Sequence, residues 1–327
     1  MTLSALLAQK PVVILDGAMG TELHAQGVDI GLPLWSANAL LRAPHVVRNI
    51  HFHMLHAGAD IITTNTFRSN ERALARAGYG DRWEEWNLRA VELAFEARER
   101  YHPARPVLVA GGLAPVEDCY SPDLVPSAAE LQEEHARQAA QLAMYGADVL
   151  LVETMMSVRE ADAAAAACAA TGKEFAVSFV CDAEGRLLSG ETLADAAGTV
   201  ARHAPAALLV NCVSALHIRR AHAMLREATA LPTGAYANTG NPEPGAHEET
   251  RRDVDVEGFT VAAEHCVADG ARIVGGCCGS TPEHILSLTR TFSPSTLRFQ
   301  EEEQEAWLEA RRSRYNRPAL PDAQNFT

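Results

Sequence analysis

The sequence predicts an α/β protein, a (β/α)8 TIM barrel formed by a single domain. Eight short apolar, β-branched segments recur along the 327 residues, and helix-like segments lie between them. The strand-like segments are apolar almost throughout rather than at alternate positions, which is typical of parallel strands buried on both faces. Eight strand and helix units fit a closed barrel better than an open doubly wound sheet, which usually has fewer strands.

The predicted elements alternate along the chain. Strands are predicted at residues 12–15, 61–64, 107–110, 149–152, 175–180, 208–210, 233–237 and 273–274. Helices are predicted at residues 44–57, 83–100, 128–145, 158–170, 192–203, 214–228, 256–268 and 282–290. Three of these helices run into a Gly-Ala pair, at Gly58, Gly146 and Gly270, and a glycine directly after a helix commonly caps its end. The repeated pair therefore predicts the turn from a helix to the next strand.

The barrel is predicted to occupy residues 1–290, because the composition changes after that point. Residues 291–327 contain a run of charged side chains and end in a proline-containing tail; the charges are Glu301, Glu302, Glu303, Glu305, Glu309, Arg311, Arg312 and Arg314. We expect a charged C-terminal helix and tail, exposed outside the barrel. In the first long helix, His51, His53 and His56 are interpreted as a solvated face rather than a metal site.

Composition and charge favour a small-molecule ligand. The formal net charge is −14, so nucleic acid and anionic membrane surfaces would be repelled. No basic segment followed by an apolar core opens the chain, and no run approaches the ~20 apolar residues of a spanning helix, so we expect a cytoplasmic protein. Seven cysteines in a reducing compartment are expected to be core residues, metal ligands or nucleophiles rather than disulfides. A homo-oligomer is left open.

Three cysteines are predicted to meet at one end of the barrel. Active sites of this fold lie where the strands end, and Cys212 follows the sixth strand while Cys277 and Cys278 follow the eighth between glycines. A catalytic zinc takes three protein ligands and leaves a fourth position open. Cys212 or Cys278 alone would be interpreted more simply as a small buried side chain, but the joint placement of the cysteines at the strand ends favours a metal. The remaining cysteines are interpreted as structural or incidental; they are Cys119, Cys168, Cys181 and Cys266.

Two carboxylates are predicted at the same end of the barrel. Glu153 directly follows the apolar fourth strand, so its charge needs a cationic or hydrogen-bonding partner. That partner is either the ammonium group of a ligand or an arginine of the barrel. Asp16 ends the first strand, but the Asp16-Gly17 pair is also a common turn, and both interpretations stay open.

These residues together resemble the homocysteine S-methyltransferase family. The matching segments are residues 15–23 (LDGAMGTEL), 63–67 (TTNTF), 153–155 (ETM), 211–212 (NC) and 275–279 (GGCCG), which extend over nearly the whole predicted barrel. The cysteine set is the specific part of this resemblance. The Asp-Gly and Glu-Thr segments are weak signals alone.

The resemblance implies a zinc-dependent enzyme that methylates the thiol of homocysteine to give methionine. By resemblance, Cys212, Cys277 and Cys278 hold Zn²⁺, and Asp16 and Glu153 hold the substrate amino acid. Further substrate contacts are expected from Gly17, Ser178 and Asn238. The 64–67 segment (TNTF) is more similar to the homocysteine module of cobalamin-dependent methionine synthase than to the S-methylmethionine enzymes, but no cobalamin or folate module follows it. We therefore expect a sulfonium donor, S-methylmethionine or S-adenosylmethionine.

Several alternatives remain at this stage. The chain could be a thiol-activating subunit that works with a separate corrinoid protein, or a non-catalytic zinc-binding barrel. Betaine is another candidate donor, and selenocysteine or another thiol is another candidate acceptor. The Gly275-Gly276 pair after the eighth strand also resembles the phosphate-binding position of some barrels, but a phosphate-binding enzyme leaves the cysteines unexplained.

Overall fold

The computed structural model describes residues 1–240, 252–297 and 306–309. Its eight strands are β1 (Val13–Ile14), β2 (Ile61–Thr63), β3 (Leu108–Leu113), β4 (Val149–Met155), β5 (Phe175–Phe179), β6 (Ala207–Ser214), β7 (Thr233–Asn238) and β8 (Ala271–Gly276). Neighbouring strands pair in parallel in the order β1-β8-β7-β6-β5-β4-β3-β2. A parallel bridge between Leu15 and Ile61 joins the two ends of this sheet. The predicted (β/α)8 barrel is confirmed.

Helices surround the strands. They are α1 (Leu3–Gln9), α2 (Gly20–Ala25), α3 (Asn38–Arg42), α4 (Pro44–His56), α5 (Glu71–Arg76), α6 (Trp83–Tyr101), α7 (Ala128–Met144), α8 (Val158–Ala170), α9 (Leu193–Ala201), α10 (Ile218–Ala228), α11 (Val256–Ala268) and α12 (Pro282–Phe292). The predicted helices agree with these bounds closely, with one exception. The helix predicted from residue 214 begins at Ile218, because Ser214 still belongs to β6. The short helices α1, α2, α3 and α5 were not predicted.

Glycine and side-chain caps set the helix boundaries. Gly58, Gly146 and Gly270 have φ angles of +103°, +97° and +99°, the left-handed conformation expected of a glycine after a helix. At the start of α7, the Ser127 hydroxyl accepts from the Glu130 amide while the Glu130 carboxylate accepts from the Ser127 amide. This reciprocal pair satisfies two amides that the helix leaves free. The predicted turns from helix to strand are confirmed at all three glycines.

The barrel interior is closed at the amino-terminal end of the strands. Leu3, Leu6 and Leu7 of α1 pack in one cluster with the inward-facing strand residues, among them Val13 and Ile273. Burial of these apolar side chains, at about 25 cal/mol per Å² removed from water, holds α1 against the strands. The opposite end, where the strands lead into the βα loops, is where a pocket opens.

One prediction about the outer surface is wrong. His51 of α4 is completely buried rather than solvated. A short part of the C-terminal segment, residues 306–309, is helical and packs on the barrel: Leu308 is buried, and the Trp307 ring lies 4.6 Å from the His56 ring between centroids. Of the charged residues predicted in this segment, Glu309 is described and the others lie outside the described residues. Among the described helices, none combines the length and apolar character that crossing a bilayer requires.

Candidate active site at the carboxyl end of the strands

A pocket of about 590 Å³ opens at the carboxyl end of the barrel. It is lined by residues from the loops after β1, β2, β3, β5 and β8 and by residues near the ends of the strands β4, β6 and β7. The polar and aromatic members of this lining include Asp16, Thr21, Trp35, Asn65, Phe67, Arg68, Asp118, Cys119, Tyr120, Glu153, Cys212, Tyr236, Cys277 and Cys278. The predicted cysteine set and both predicted carboxylates therefore face one space.

The sulfur atoms of Cys212, Cys277 and Cys278 form a cluster. All three lie within 4.8 Å of one another, and the Cys212 and Cys277 sulfurs are 2.7 Å apart. All three cysteines are free thiols. No other group of at least three His, Cys, Asp or Glu side chains with this ligand spacing occurs within the described residues.

A pair of bulges brings Cys212 to the cluster. Cys212 has a φ angle of +54° where β6 shifts register against β7, and Thr154 has a φ angle of +62° where β4 shifts register against β5. The Asn211 side chain ties the two bulges together, since its Oδ1 accepts from the Thr154 amide at 3.1 Å and its Nδ2 donates to the Thr154 hydroxyl at 2.8 Å. Non-glycine residues in this conformation are strained and persist where surrounding contacts hold them, often at functional sites.

The β8 loop fixes the other two cysteines through its backbone. The Cys277 amide donates to the Ala237 carbonyl at 2.7 Å, and the Cys278 amide donates to the Asn238 Oδ1 at 2.9 Å. The Ser280 hydroxyl donates to the Cys277 carbonyl and accepts from the Ala18 amide, which joins this loop to the loop after β1. The cysteine loop is thus anchored to both neighbouring strands.

Hydrogen bonding within the cluster sets the order in which the thiols ionise. The Cys212 and Cys278 thiols hydrogen bond to the Cys277 sulfur and hold the pKa of the Cys277 thiol well below its usual range. The same hydrogen bond with Cys277 raises the pKa of Cys212 well above its usual value. Cys277 is therefore the first of the three thiols to ionise.

Asp16 and Glu153 are pocket carboxyls whose pKa values are raised by burial and, to a smaller extent, by Cys277. The Asp16 carboxylate accepts from the Thr63 amide at 2.8 Å and from the Thr63 hydroxyl at 3.2 Å, yet burial raises its pKa to about 7. Burial, with the charges of Cys277 and Asp16, raises the pKa of the Glu153 carboxyl well above its usual range. Among the described residues, Glu153 has no hydrogen-bond or ion-pair partner, so the salt bridge to a barrel arginine is absent there. The pair is suited to receive a cation.

The other predicted contacts are placed differently. Gly17 lines the pocket, where a Cβ would lie 2.9 Å from the Ser280 hydroxyl. Ser178 is fully buried and its hydroxyl donates to the Asn211 Oδ1 at 2.6 Å. Asn238 is also fully buried and holds the Cys278 amide. Ser178 and Asn238 do not line the pocket, so in this geometry they position the strand bulge and the cysteine loop.

Several pocket residues were missed by the sequence analysis. Trp35 and Phe67 form an edge-to-face pair with ring centroids 5.3 Å apart, and Tyr236 of β7 also lines the pocket. Arg68 and Asp118 form an ion pair at 3.5 Å on the same wall. Arg68 directly follows the 63–67 segment, and a charged residue so close to the end of a buried strand could have been predicted to line the pocket. The loop containing Asp118 has no local pattern that points to a pocket.

The cysteine cluster fits a metal ion by its donor set. Three sulfurs on one buried face are the soft ligands that Zn²⁺ prefers, and the neighbouring pocket leaves room for a fourth ligand. Two thiolates on one tetrahedral zinc lie about 3.8 Å apart for zinc–sulfur bonds of about 2.3 Å. The Cys212 and Cys277 sulfurs would therefore separate by about 1 Å from their present 2.7 Å.

Comparison with known proteins finds methyltransferases that match this chain over nearly the whole barrel. The sequence model of the homocysteine S-methyltransferase family matches residues 13–292. Homocysteine S-methyltransferase 2 of Zea mays is 30% identical over 306 residues, 86% of this chain and 90% of that protein. A selenocysteine methyltransferase of Astragalus bisulcatus is 29% identical, over 86% of this chain and 92% of its own length. The crystal structure of the metallated homocysteine methyltransferase MmuM from Escherichia coli is 30% identical with a TM-score of 0.76, covering 88% of this chain and 98% of that one.

Proposed function

The chain belongs to the homocysteine S-methyltransferase family, and on this basis we propose that it transfers a methyl group to the thiol of homocysteine, giving methionine. The proposal includes Zn²⁺ held by Cys212, Cys277 and Cys278. One observation supports it above the others. The three sulfurs face the same pocket as Asp16 and Glu153, two carboxyl groups that have no cationic partner among the described residues. A ligand with a thiol at one end and an ammonium group at the other matches that pairing.

The chain's own groups bind and orient the acceptor. We assign the homocysteine ammonium to Asp16 and Glu153, because a buried carboxyl with a raised pKa gains a partner for its charge when a cation arrives. Thr63 holds Asp16 in place through two hydrogen bonds. Asn211, through the bulge at Thr154, keeps Glu153 and the cysteines in a fixed relation.

The reaction is a displacement at a methyl carbon. An alkyl thiol has a pKa near 8.5, so only a small fraction is thiolate at neutral pH. Bound at the cysteines, zinc would stabilise the substrate sulfur as thiolate at neutral pH. The thiol proton leaves to solvent, the thiolate forms a new sulfur–carbon bond, and the bond from that methyl carbon to the donor sulfur breaks. A thiolate and a sulfonium thus become two neutral thioethers. Alignment of both reactants in one pocket further increases the rate, because their encounter no longer depends on diffusion.

We propose a sulfonium donor, S-methylmethionine or S-adenosylmethionine. The pocket volume of about 590 Å³ exceeds what homocysteine alone needs, so both reactants fit together. A separate corrinoid protein and betaine remain the alternatives, as does selenocysteine as acceptor. Phosphate binding loses support, because Gly275 and Gly276 lie within β8, where a Cβ on either would meet Leu15 or Ser280 at less than 3 Å.

A donor panel tests the proposal. The zinc-loaded protein is incubated with homocysteine and, in separate reactions, with S-methylmethionine, S-adenosylmethionine, betaine and a methylcorrinoid. We expect methionine from at least one sulfonium and none from the other two donors. Formation of methionine from the methylcorrinoid alone would support the thiol-activating subunit instead. No product from any donor would support the non-catalytic zinc barrel.

A further inference from the structure

Arg68 is a buried cation on the pocket wall that the proposed chemistry does not use. The residue is 6% exposed, and among the described residues that line the pocket it is the one basic side chain. Its contact with Asp118 is an ion pair at 3.5 Å, longer than a hydrogen bond. A guanidinium carries five N–H donors in a planar fork, so most of its hydrogen-bonding capacity remains free in the described structure.

Asp118 is held by its own loop rather than by Arg68. Its Oδ2 accepts from the Ser121 hydroxyl at 2.8 Å, and its Oδ1 accepts from the Tyr120 amide at 3.3 Å. The loop is anchored further back, where the Val116 amide donates to the buried Glu160 carboxylate at 2.7 Å. A carboxylate offers about four acceptor positions, so Asp118 retains capacity for one more donor. The pair presents a cation and an anion side by side, one from the loop after β2 and the other from the loop after β3.

This pair is separate from the carboxyls assigned to homocysteine. Arg68 and Asp118 lie in the loops after β2 and β3, whereas Asp16 follows β1 and Glu153 belongs to β4. The pocket thus has one group of charges beside the cysteines and another on the wall formed after β2 and β3. Two amino acids held in one pocket each need a partner for a carboxylate and a partner for an ammonium group.

We propose that Arg68 binds the α-carboxylate of the methyl donor, which makes it a specificity-determining residue for amino-acid sulfoniums; this inference rests on the proposed methyl transfer. Arginine is suited to the task because its fork binds a carboxylate through two parallel hydrogen bonds. Asp118 receives the donor ammonium. The aromatic pair of Trp35 and Phe67 on the same side of the pocket provides ring faces for a sulfonium cation.

Steady-state kinetics of Arg68→Gln and Arg68→Lys test this assignment with the zinc-loaded protein. S-methylmethionine is compared with its carboxamide, which lacks the carboxylate charge but keeps the sulfonium. We expect Arg68→Gln to raise the KM for S-methylmethionine about tenfold to a hundredfold, because a charge-assisted contact is lost. The KM for the carboxamide and the KM for homocysteine should stay unchanged. The KM of Arg68→Lys for S-methylmethionine should lie between those of the unaltered protein and Arg68→Gln, since lysine keeps the charge but lacks the planar fork of donors.

Arg219→Gln is the matched control, because Arg219 pairs with Asp269 on the exposed surface outside the pocket. It should behave as the unaltered protein does. A rise in the homocysteine KM, or an equal loss with S-methylmethionine and its carboxamide, would overturn the inference. Should Arg68→Gln fail to fold, the same comparison is read from Arg68→Lys.

Equilibrium binding separates this inference from the proposed function. If the unaltered protein binds S-methylmethionine but transfers a methyl group from neither S-methylmethionine nor S-adenosylmethionine, the proposed function fails, and weaker binding by Arg68→Gln would still support the role of Arg68. If the unaltered protein turns over and Arg68→Gln matches it, the inference alone fails. An unaltered protein that neither binds nor uses either of these two sulfonium donors overturns both.

Discussion

Replacement of Glu153 by glutamine tests the acceptor half of the site. Glu153 lines the pocket without a hydrogen-bond partner among the described residues, and burial raises the pKa of its carboxyl well above the usual range. A glutamine amide has nearly the shape of a carboxyl group. Glu153→Gln should therefore keep the fold, the metal and the thermal stability of the substrate-free protein.

The expected loss follows from the charge that forms on binding. A hydrogen bond to a charged group contributes about 1.5–3 kcal/mol, which corresponds to about tenfold to a hundredfold in kcat/KM. Because the pKa of Glu153 is raised, its ionised carboxylate forms less readily at lower pH, which offsets part of the gain there. We expect the loss in kcat/KM for homocysteine to be about tenfold near pH 7 and to grow as the pH rises.

The assay compares two thiols. 3-Mercaptopropionate lacks the amino group, so it should be a poor substrate for the unaltered protein and should be barely affected by Glu153→Gln. Glu92→Gln serves as the matched control, because Glu92 is an exposed residue that pairs with Arg89 on α6. If both thiols lost the same factor in kcat/KM, Glu153 would be supporting the barrel or the metal rather than the ammonium group.

Three further predictions concern the metal, the pH profile and the space around Glu153. Cys277→Ser should lose both bound zinc and activity, whereas Cys168→Ser, buried on α8, should lose neither; metal analysis after dialysis decides. Asp16, with a pKa of about 7, is about 90% ionised at pH 8 and about 10% at pH 6, so kcat/KM for homocysteine should fall about tenfold across that range and Asp16→Asn should flatten the fall. Gly112→Ala should raise the homocysteine KM with zinc retained, because the new Cβ would lie 2.9 Å from the Glu153 Oε1; an unchanged KM would contradict the placement of that carboxyl.

The sequence was sufficient for the barrel because burial on both faces produces a pattern that is local to each strand. The glycines at 58, 146 and 270 marked the helix ends for a similar reason, since the left-handed turn is a property of one residue. The convergence of the three cysteines also followed, because the fold alone brings the strand ends together. His51 shows where a local pattern was misjudged: Val47, Met54 and Leu55 lie one turn away on the same face of α4 and are buried with it.

The remainder of the pocket depends on contacts that no segment specifies alone. The bulges at Thr154 and Cys212 form because Asn211 reaches across from β6 to β4, and neither position is a glycine that would have signalled a positive φ. Asp118 reaches the wall through the loop after β3, which is held by Glu160 of α8. Such long-range hydrogen bonds leave no periodic trace in the sequence. The buried positions of Ser178 and Asn238, hydrogen bonded to Asn211 and to the Cys278 amide, could not be predicted for the same reason.

Metal-dependent methyl transfer is the most direct test of the account. The protein is stripped with a chelator under reducing conditions, reloaded with increasing Zn²⁺, and assayed with homocysteine and S-methylmethionine carrying a labelled methyl group. We predict that labelled methionine forms in proportion to bound zinc and reaches its maximum at about one zinc per chain, the capacity of a single three-cysteine site. Full turnover by the stripped protein, or zinc bound at one per chain after Cys212, Cys277 and Cys278 are all replaced by serine, would contradict it.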